Sequence, residues 1–159
     1  MAINKKRIQK ELDSARAMDR VLDLKVTGSE TRLRTFFEGA PDSPFEGGRY
    51  EVEVTFGKDY PLKPPAVIML SPIFHPNFSG DQICVDFLQN NWSPSLTISA
   101  MLNSFQLLLD DPNPDSALDS DAASVYQSDP DEYKRRNQEL IKSNEKLKKE
   151  GEEEEKEDI

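Results

Sequence analysis

Two side chains in the middle of the chain have the types and spacing for nucleophilic chemistry. Cys84 is the only cysteine, and His75, nine residues earlier, is the only histidine. Cys84 is also the only soft nucleophile of the chain, and its thiolate form is the reactive one. Residues 71–96 around it lack regular periodicity and are rich in proline and polar residues, a pattern typical of functional loops. These features favour a reactive Cys84.

Two other interpretations of Cys84 stay open on these residues alone. A cysteine between Ile83 and Val85, both β-branched, is also typical of a small buried hydrophobic residue. A cysteine with a histidine elsewhere fits a cysteine hydrolase, but no local protease signature surrounds Cys84. One cysteine and one histidine cannot supply a disulfide or a structural zinc site, so we expect no bound metal.

The motifs around Cys84 resemble the active-site signature of ubiquitin-conjugating enzymes. In chain order they are His75-Pro76-Asn77, Ile83-Cys84-Val85-Asp86 and Trp92-Ser93-Pro94. Residues 43–48, 60–65 and 111–115 match the family in the same order. The resemblance covers about residues 4–147. It implies the family's α+β fold, in which an N-terminal helix precedes a four-stranded antiparallel meander, a central helix and two closing helices.

The resemblance also implies a reaction and roles for the motif residues. Cys84 would take ubiquitin from an activating enzyme as a thioester, and an amine would then attack that thioester. Two roles for Asn77 remain open: its amide stabilises the oxyanion of that attack, or it braces the active-site loop. His75 and Pro76 are expected to shape the loop, with His75 acting through hydrogen bonds and not as a base.

Ser116 and Asp86 are the remaining catalytic candidates. By resemblance, Ser116 lies in a loop that faces the catalytic cysteine, where family members use an aspartate or a serine to position the incoming lysine. A hydroxyl there can only hydrogen-bond the lysine, whereas a carboxylate could also help to deprotonate it. Asp86 is either part of this machinery or a solvated surface acid.

The resemblance places partner contacts on three segments. The basic face of the first helix would meet the activating enzyme, and RING-type ligases would bind that helix together with two loops. The residues implied are Lys6, Arg7, Lys10, Leu62, Pro94 and Ser95. We also expect ubiquitin, HECT-type ligases and protein substrates as partners. No cofactor is expected on this chain, because ATP is used by the activating enzyme.

Two positions depart from the common family pattern. Leu62 stands where an aromatic residue is frequent, which leaves the preferred class of ligase open. Arg34 stands where many members have a tryptophan early in the second strand. We therefore expect packing or a noncovalent contact on the sheet to differ at Arg34.

Hydrophobic periodicity predicts the elements that must position these residues. Ile8, Leu12, Ala15 and Met18 recur at helical spacing and predict a helix over residues 4–18, with Asn4 as its cap. Strands are predicted over residues 20–27, 31–38, 49–56 and 66–70. A broad apolar stripe from Ile98 to Leu109, capped by Thr97, predicts a buried central helix. A short helix over 122–127 and a last helix beginning after Asp129 complete the chain.

Charge and composition narrow the class of protein. The formal net charge is -10, and the last ten residues contain seven acids and one lysine. We therefore predict a catalytic domain over residues 1–147 and an acidic, disordered tail over 148–159.

An acidic balance argues against nucleic-acid binding. No apolar run is long enough to span a membrane, and no signal peptide is visible. We expect a monomer in the cytoplasm or nucleus.

Two functional alternatives remain beside ubiquitin conjugation. One is conjugation of a different ubiquitin-like modifier, for example of the SUMO type. The other is a noncatalytic ubiquitin-binding relative with the same fold, although such relatives typically lack the catalytic cysteine that stands here in an intact motif.

Overall fold

The computed structural model describes residues 5–27, 32–83 and 92–157. In chain order its elements are α1 (Lys5–Arg16), β1 (Val21–Thr27), β2 (Arg32–Glu38), β3 (Arg49–Thr55), β4 (Ala66–Met69), β5 (Phe78–Ser79), β6 (Gln82–Ile83), α2 (Ile98–Asp110), a 3₁₀ turn (Pro114–Ser116), α3 (Ser120–Ser128) and α4 (Pro130–Glu157). Strands β1 to β4 form one antiparallel sheet in sequence order. The predicted α+β fold, with its helix, meander, central helix and closing helices, is confirmed.

The sheet forms because alternate residues of its strands are apolar and face one side. In β3, Tyr50, Val52 and Val54 are buried, and the residues between them are partly exposed. Leu33 of β2 lies opposite Val54, and Phe37 lies opposite Tyr50. This register places the buried side chains of both strands on the same face, against the helices.

Strand β1 departs from strict alternation because it contains a bulge. Val21 and Leu24 are both buried although they are three residues apart. The pairing with β2 shifts between Leu22 and Lys25, and Asp23 between them has a φ of 50°. A bulge requires one residue out of the regular conformation, and aspartate tolerates the left-handed region. The bulge explains the irregular apolar spacing of this strand in the sequence.

Helix α2 is the buried central helix, as predicted. It begins after Thr97, whose side-chain oxygen accepts a hydrogen bond from the Ala100 amide at 3.1 Å. Phe105 stacks on Phe37 of the sheet, with ring centroids 4.6 Å apart. Helix α1 packs against α2. Among the α1 residues with described side chains, those that are buried are Ile8, Glu11, Leu12 and Ala15.

Among the described residues of the stretch 71–96, a small regular element occurs that the sequence pattern did not predict. Strands β5 and β6 form a two-stranded hairpin in which Phe78 pairs with Ile83. Gly80, in the turn, has a φ of 59°, a conformation that glycine adopts without strain. The prediction of an entirely irregular segment is therefore wrong over residues 78–83, because strands of two residues are too short to show periodicity.

The last helix extends into the acidic tail. Helix α4 continues to Glu157, and the division into a domain over 1–147 and a disordered tail over 148–159 stays a prediction. Glutamate and lysine, which dominate this segment, both favour helix. The like-charge repulsion that suggested disorder is therefore opposed by backbone propensity. Residues 158–159 lie outside the described part of the chain.

Two further observations concern the described residues as a whole. No helix among them has both the length and the apolar character needed to cross a lipid bilayer. Within the same residues, no three histidine, cysteine, aspartate or glutamate side chains are grouped so that they could hold a metal ion.

Candidate active site

His75 is fully buried and holds the segment before Cys84 against helix α2. Its Nε2 lies 3.0 Å from the carbonyl oxygen of Leu108 and 3.2 Å from that of Leu109. Carbonyl oxygens only accept, so Nε2 carries the hydrogen. Nδ1 in turn accepts a hydrogen bond from the Asn77 amide at 3.0 Å. Both ring nitrogens therefore have backbone partners, and His75 acts here as a structural link.

Burial also sets the charge state of His75. It lowers the pKa of the imidazole to about 4, because a buried cation loses its hydration. The imidazole is therefore neutral at neutral pH. A neutral ring with Nδ1 and Nε2 both engaged does not fit the role of a general base.

Asn77 is fully buried, and its side chain bridges to a segment 36 residues further along the chain. Its Nδ2 donates to the carbonyl oxygens of Asn113 and Ser116, at 2.8 and 3.3 Å. Its Oδ1 accepts a hydrogen bond from the Asn113 amide at 2.8 Å. These three bonds are the contacts of a brace, which is one of the two roles left open by the sequence.

Asn113 lies in the family-matching block 111–115 but was not predicted as a site residue. Besides its two bonds to Asn77, it caps the 3₁₀ turn, because its Oδ1 accepts from the Asp115 amide at 3.2 Å. Its Nδ2 lies 3.5 Å from the Ser116 hydroxyl. The signal that could have found it is the Asn113-Pro114 pair, since asparagine before proline is typical of turn starts.

Ser116 and Pro76 complete the contacts between the two segments. Ser116 is half-buried at the end of the 3₁₀ turn. The carbonyl oxygen of Pro76 accepts hydrogen bonds from the amides of Leu118 and Asp119, at 2.8 and 3.1 Å. The structure thus brings together four predicted site residues: His75, Pro76, Asn77 and Ser116.

Cys84 and Asp86 lie outside the described residues, so their contacts with this cluster are not part of the structure. The residue directly before Cys84 is nevertheless described. Ile83 precedes it in sequence and pairs with Phe78, the residue that follows Asn77. The hairpin therefore anchors the residue before Cys84 next to the braced segment.

Comparison with known proteins tests the family resemblance. Residues 7–141, most of the chain, match the model of the family described as ubiquitin-conjugating enzyme. The chain belongs to this family. It is 48% identical over 99 residues to "Ubiquitin-conjugating enzyme E2 2" of Mycosarcoma maydis, covering 62% of this chain and 54% of that protein. It is 45% identical over 104 residues to "Ubiquitin-conjugating enzyme E2 1" of Caenorhabditis elegans, covering 65% of this chain and 54% of that protein. The chain thus spans about half the length of these curated relatives.

The predicted partner residues of this ubiquitin-conjugating enzyme lie on three neighbouring segments. These segments are helix α1, residues 60–65 and residues 92–96. We call them the three-segment surface. Arg7 of α1 donates through Nη2 to the carbonyl oxygens of Pro94 and Leu96, at 2.5 and 3.3 Å. Leu62 is 61% exposed. The structure thus joins Arg7 to the loop of Pro94.

The positions of the other predicted partner residues are as follows. Lys10, Pro94 and Ser95 are exposed. Lys6 belongs to α1, but its side chain lies outside the described part. Ser95 is held by Ser93, whose hydroxyl lies 2.9 Å from the Ser95 hydroxyl.

Arg34 lies on the outer face of the sheet, where it forms ion pairs with acids of β3. Its Nε donates to Glu53 at 2.8 Å, and its Nη1 lies 3.5 Å from Glu51. Its side chain is 51% exposed. A charged cluster therefore occupies this part of the sheet surface, and the expected difference from other family members stays a prediction.

Proposed function

We propose that this chain carries ubiquitin as a thioester on Cys84 and passes it to a substrate lysine. The observation that carries the proposal is the braced cluster of His75, Asn77 and Asn113 beside the hairpin that ends at Ile83. Family membership supports the same function. A rigid backbone next to a reactive thiol is what acyl transfer requires, because the attacking group must meet a fixed carbonyl.

The first step is an exchange between two thioesters. The thiolate of Cys84 attacks the carbonyl carbon that joins ubiquitin's C-terminal glycine to a cysteine of the activating enzyme. A new C–S bond forms, the old one breaks, and the cysteine of the activating enzyme leaves as a thiolate. Because the bonds made and broken are alike, the step needs no strong base.

In the second step a lysine amine attacks the thioester, either directly or after transfer to a ligase cysteine. A C–N bond forms, Cys84 leaves as a thiolate, and the amine loses a proton to solvent or to a nearby acceptor. We propose that Ser116 accepts a hydrogen bond from the incoming amine. Asp86, two residues after Cys84, is the candidate that could take up the proton.

We assign Asn77 the role of a brace first and of an oxyanion donor second. Both of its amide hydrogens are engaged with the carbonyl oxygens of Asn113 and Ser116. To stabilise an oxyanion, the side chain would have to give up one of these bonds. The longer bond, to Ser116, is the one that it would release.

We propose ubiquitin, an activating enzyme, and RING- or HECT-type ligases as partners, with the three-segment surface as the place of contact. The chain itself would need no cofactor. We also propose the cytoplasm or nucleus as the place of the reaction, since reducing conditions there keep free thiols from forming disulfides.

The test is a charging assay with purified chain, activating enzyme, ubiquitin and ATP. On a non-reducing gel we expect a band larger by one ubiquitin that disappears with thiol reductant. Cys84→Ala should abolish it, and Cys84→Ser should leave a band that resists reductant, because an oxyester replaces the thioester. Ser79→Ala, a change at an exposed hairpin residue, is the matched control and should charge normally.

Two outcomes would change the proposal. Charging only with a different modifier and its own activating enzyme would keep the mechanism and replace ubiquitin. Failure with every modifier, by a chain that is demonstrably folded, would rule out the thioester function and favour the binding-only relative.

A further inference from the structure

Glu11 is a buried carboxylate that none of the steps above uses. It lies on α1 and is 8% exposed. A buried carboxylate is costly unless its oxygens find partners. Here both do: Oε1 accepts from Nε of Arg7 at 3.0 Å, and Oε2 accepts from the Tyr60 hydroxyl at 3.4 Å. Glu11 thus contacts one residue of its own helix and one residue of the 60–65 loop.

The two partners of Glu11 extend these contacts to the third segment. Arg7 uses a second nitrogen, Nη2, for the carbonyl oxygens of Pro94 and Leu96. The Tyr60 ring lies against Trp92, with centroids 5.9 Å apart. Helix α1 is therefore tied to residues 92–96 through the guanidinium that Glu11 orients.

A third link closes the connection between the two loops. The indole N–H of Trp92 donates to the carbonyl oxygen of Pro61 at 2.9 Å. The three segments are thus joined in pairs: α1 with 92–96, α1 with 60–65, and 60–65 with 92–96. Glu11 itself forms the link between α1 and 60–65 through Tyr60. It also orients Arg7, which forms the link between α1 and 92–96.

We propose that Glu11 is a positioning residue that holds the three-segment surface in its partner-binding arrangement before a partner arrives. The naming of that partner as a ligase rests on the proposed function. The physical basis is preorganisation: a surface whose loops are already ordered loses less conformational entropy on binding. Glu11 touches neither the thioester nor the incoming lysine in this proposal, so it acts on affinity and not on the chemical step.

The test compares Glu11→Gln with Asp13→Asn. Glutamine has nearly the same size as glutamate but carries no charge and offers one acceptor oxygen in place of two, so the charge-assisted bond to Arg7 is weakened and the two donors can no longer be accepted by separate oxygens. Asp13 lies on the same helix with a side chain that is 68% exposed. Its amide variant makes the same change of charge without touching the buried network.

The first readout does not depend on activity. Trp92 is the only tryptophan of the chain, so its indole N–H gives a single resolved NMR signal for the surface. We expect hydrogen exchange at this indole to rise about fivefold or more in Glu11→Gln and to stay at the wild-type rate in Asp13→Asn. Backbone amides of α2 should keep their wild-type protection in both variants.

The second readout is discharge of the charged chain by a RING domain that is active on the wild type. We expect KM for the charged chain to rise roughly tenfold in Glu11→Gln while kcat stays within about twofold. Discharge to free lysine without a ligase should not change. Asp13→Asn should match the wild type in all three quantities.

Several results would overturn the proposal. One is an unchanged Trp92 exchange rate in Glu11→Gln. Another is a loss of protection in α2 that equals the loss at Trp92, which would make Glu11 a general stabiliser of the fold. An equal loss in free-lysine discharge would place it in the chemical step.

A second variant covers the case in which Glu11→Gln does not fold. Tyr60→Phe breaks only the contact between Glu11 and the 60–65 loop, and the same two readouts apply. Failure of the proposed function would appear differently: the wild type would not be charged at all, and the Trp92 exchange would still decide whether Glu11 orders the surface.

Discussion

At the scale of single residues, the polar groups buried near the candidate site are committed to backbone partners. Asn77 uses its amide hydrogens and its amide oxygen on residues 113–116. His75 uses both ring nitrogens. Elsewhere in the core, the Tyr133 hydroxyl is buried and has no hydrogen-bond partner among the described residues. Removing a polar group that has hydrogen-bond partners should lower the free energy of unfolding, whereas removing the unpaired Tyr133 hydroxyl should not.

Replacing Asn77 by alanine should destabilise the protein by about 2 kcal/mol or more, because the three hydrogen bonds that this buried side chain makes with Asn113 and Ser116 are lost together. Chemical denaturation measures this change. Asn103→Ala, at an exposed position of α2, is the control and should change the free energy of unfolding by less than about 0.5 kcal/mol. Equal stabilities of the two variants would contradict the bracing role.

Replacing Tyr133 by phenylalanine should leave the free energy of unfolding unchanged or raise it by up to about 1 kcal/mol, because an unpaired buried hydroxyl is removed. Thermal or chemical denaturation is again the measurement. Tyr60→Phe is the matched comparison, since its hydroxyl has Glu11 as a partner, and it should lose stability. A clear destabilisation by Tyr133→Phe would mean that the hydroxyl has a partner such as an ordered water.

At the scale of elements, the helices begin where side chains satisfy their first free amides. Thr97 accepts from Ala100, and Asp119 accepts from Ala122 at 3.0 Å. Asp129 accepts from Glu132 at 3.2 Å and is followed by Pro130 at the first helical position. Each cap replaces hydrogen bonds that the first turn of a helix cannot make. The caps therefore fix where α2, α3 and α4 start.

Thr97→Ala should lower the free energy of unfolding by about 1 kcal/mol, because α2 loses the acceptor for the Ala100 amide. Thr97→Ser retains the hydroxyl and should be close to the wild type. Urea denaturation of the three proteins measures the difference. A loss in the serine variant as large as in the alanine variant would show that the threonine methyl group, and not the cap, is responsible.

At the scale of the whole molecule, one buried histidine links stability to pH. The pKa of His75 falls from an ordinary 6.5 to about 4 on folding. Between these values the unfolded chain binds the proton and the folded chain does not. The contribution of His75 is therefore fully present above pH 6.5 and is lost as pH falls towards 4. Acid favours the unfolded state over this range.

The free energy of unfolding should consequently drop by about 2 kcal/mol between about pH 7 and about pH 5 on account of this group. Denaturant titrations at several pH values provide the measurement, and NMR titration of the imidazole gives the pKa directly. His75 is the only histidine, so His75→Gln is the control: it should be less stable at neutral pH and much less sensitive to pH over this interval. An imidazole that titrates at its ordinary value of 6.5 in the folded protein would refute the prediction.

The amino-acid sequence by itself determined the features that depend on local periodicity and local motifs. Helical spacing located α1 and α2, alternation located β3, and the pair Asp129-Pro130 located the start of α4. The residue types and spacing around Cys84 were sufficient to indicate the family. Local patterns succeed here because each helix or strand turns its side chains towards the core at a fixed period. Apolar residues therefore recur at that period in the sequence.

The tertiary structure decided the contacts between segments that are distant in the chain. It showed that Asn77 braces Asn113, 36 residues away, and that Glu11 joins α1 to Tyr60, 49 residues away. No periodicity encodes such pairs, because a hydrogen bond across the fold depends on how elements pack and not on neighbouring residues. The short hairpin β5–β6 was missed because two-residue strands carry too little pattern.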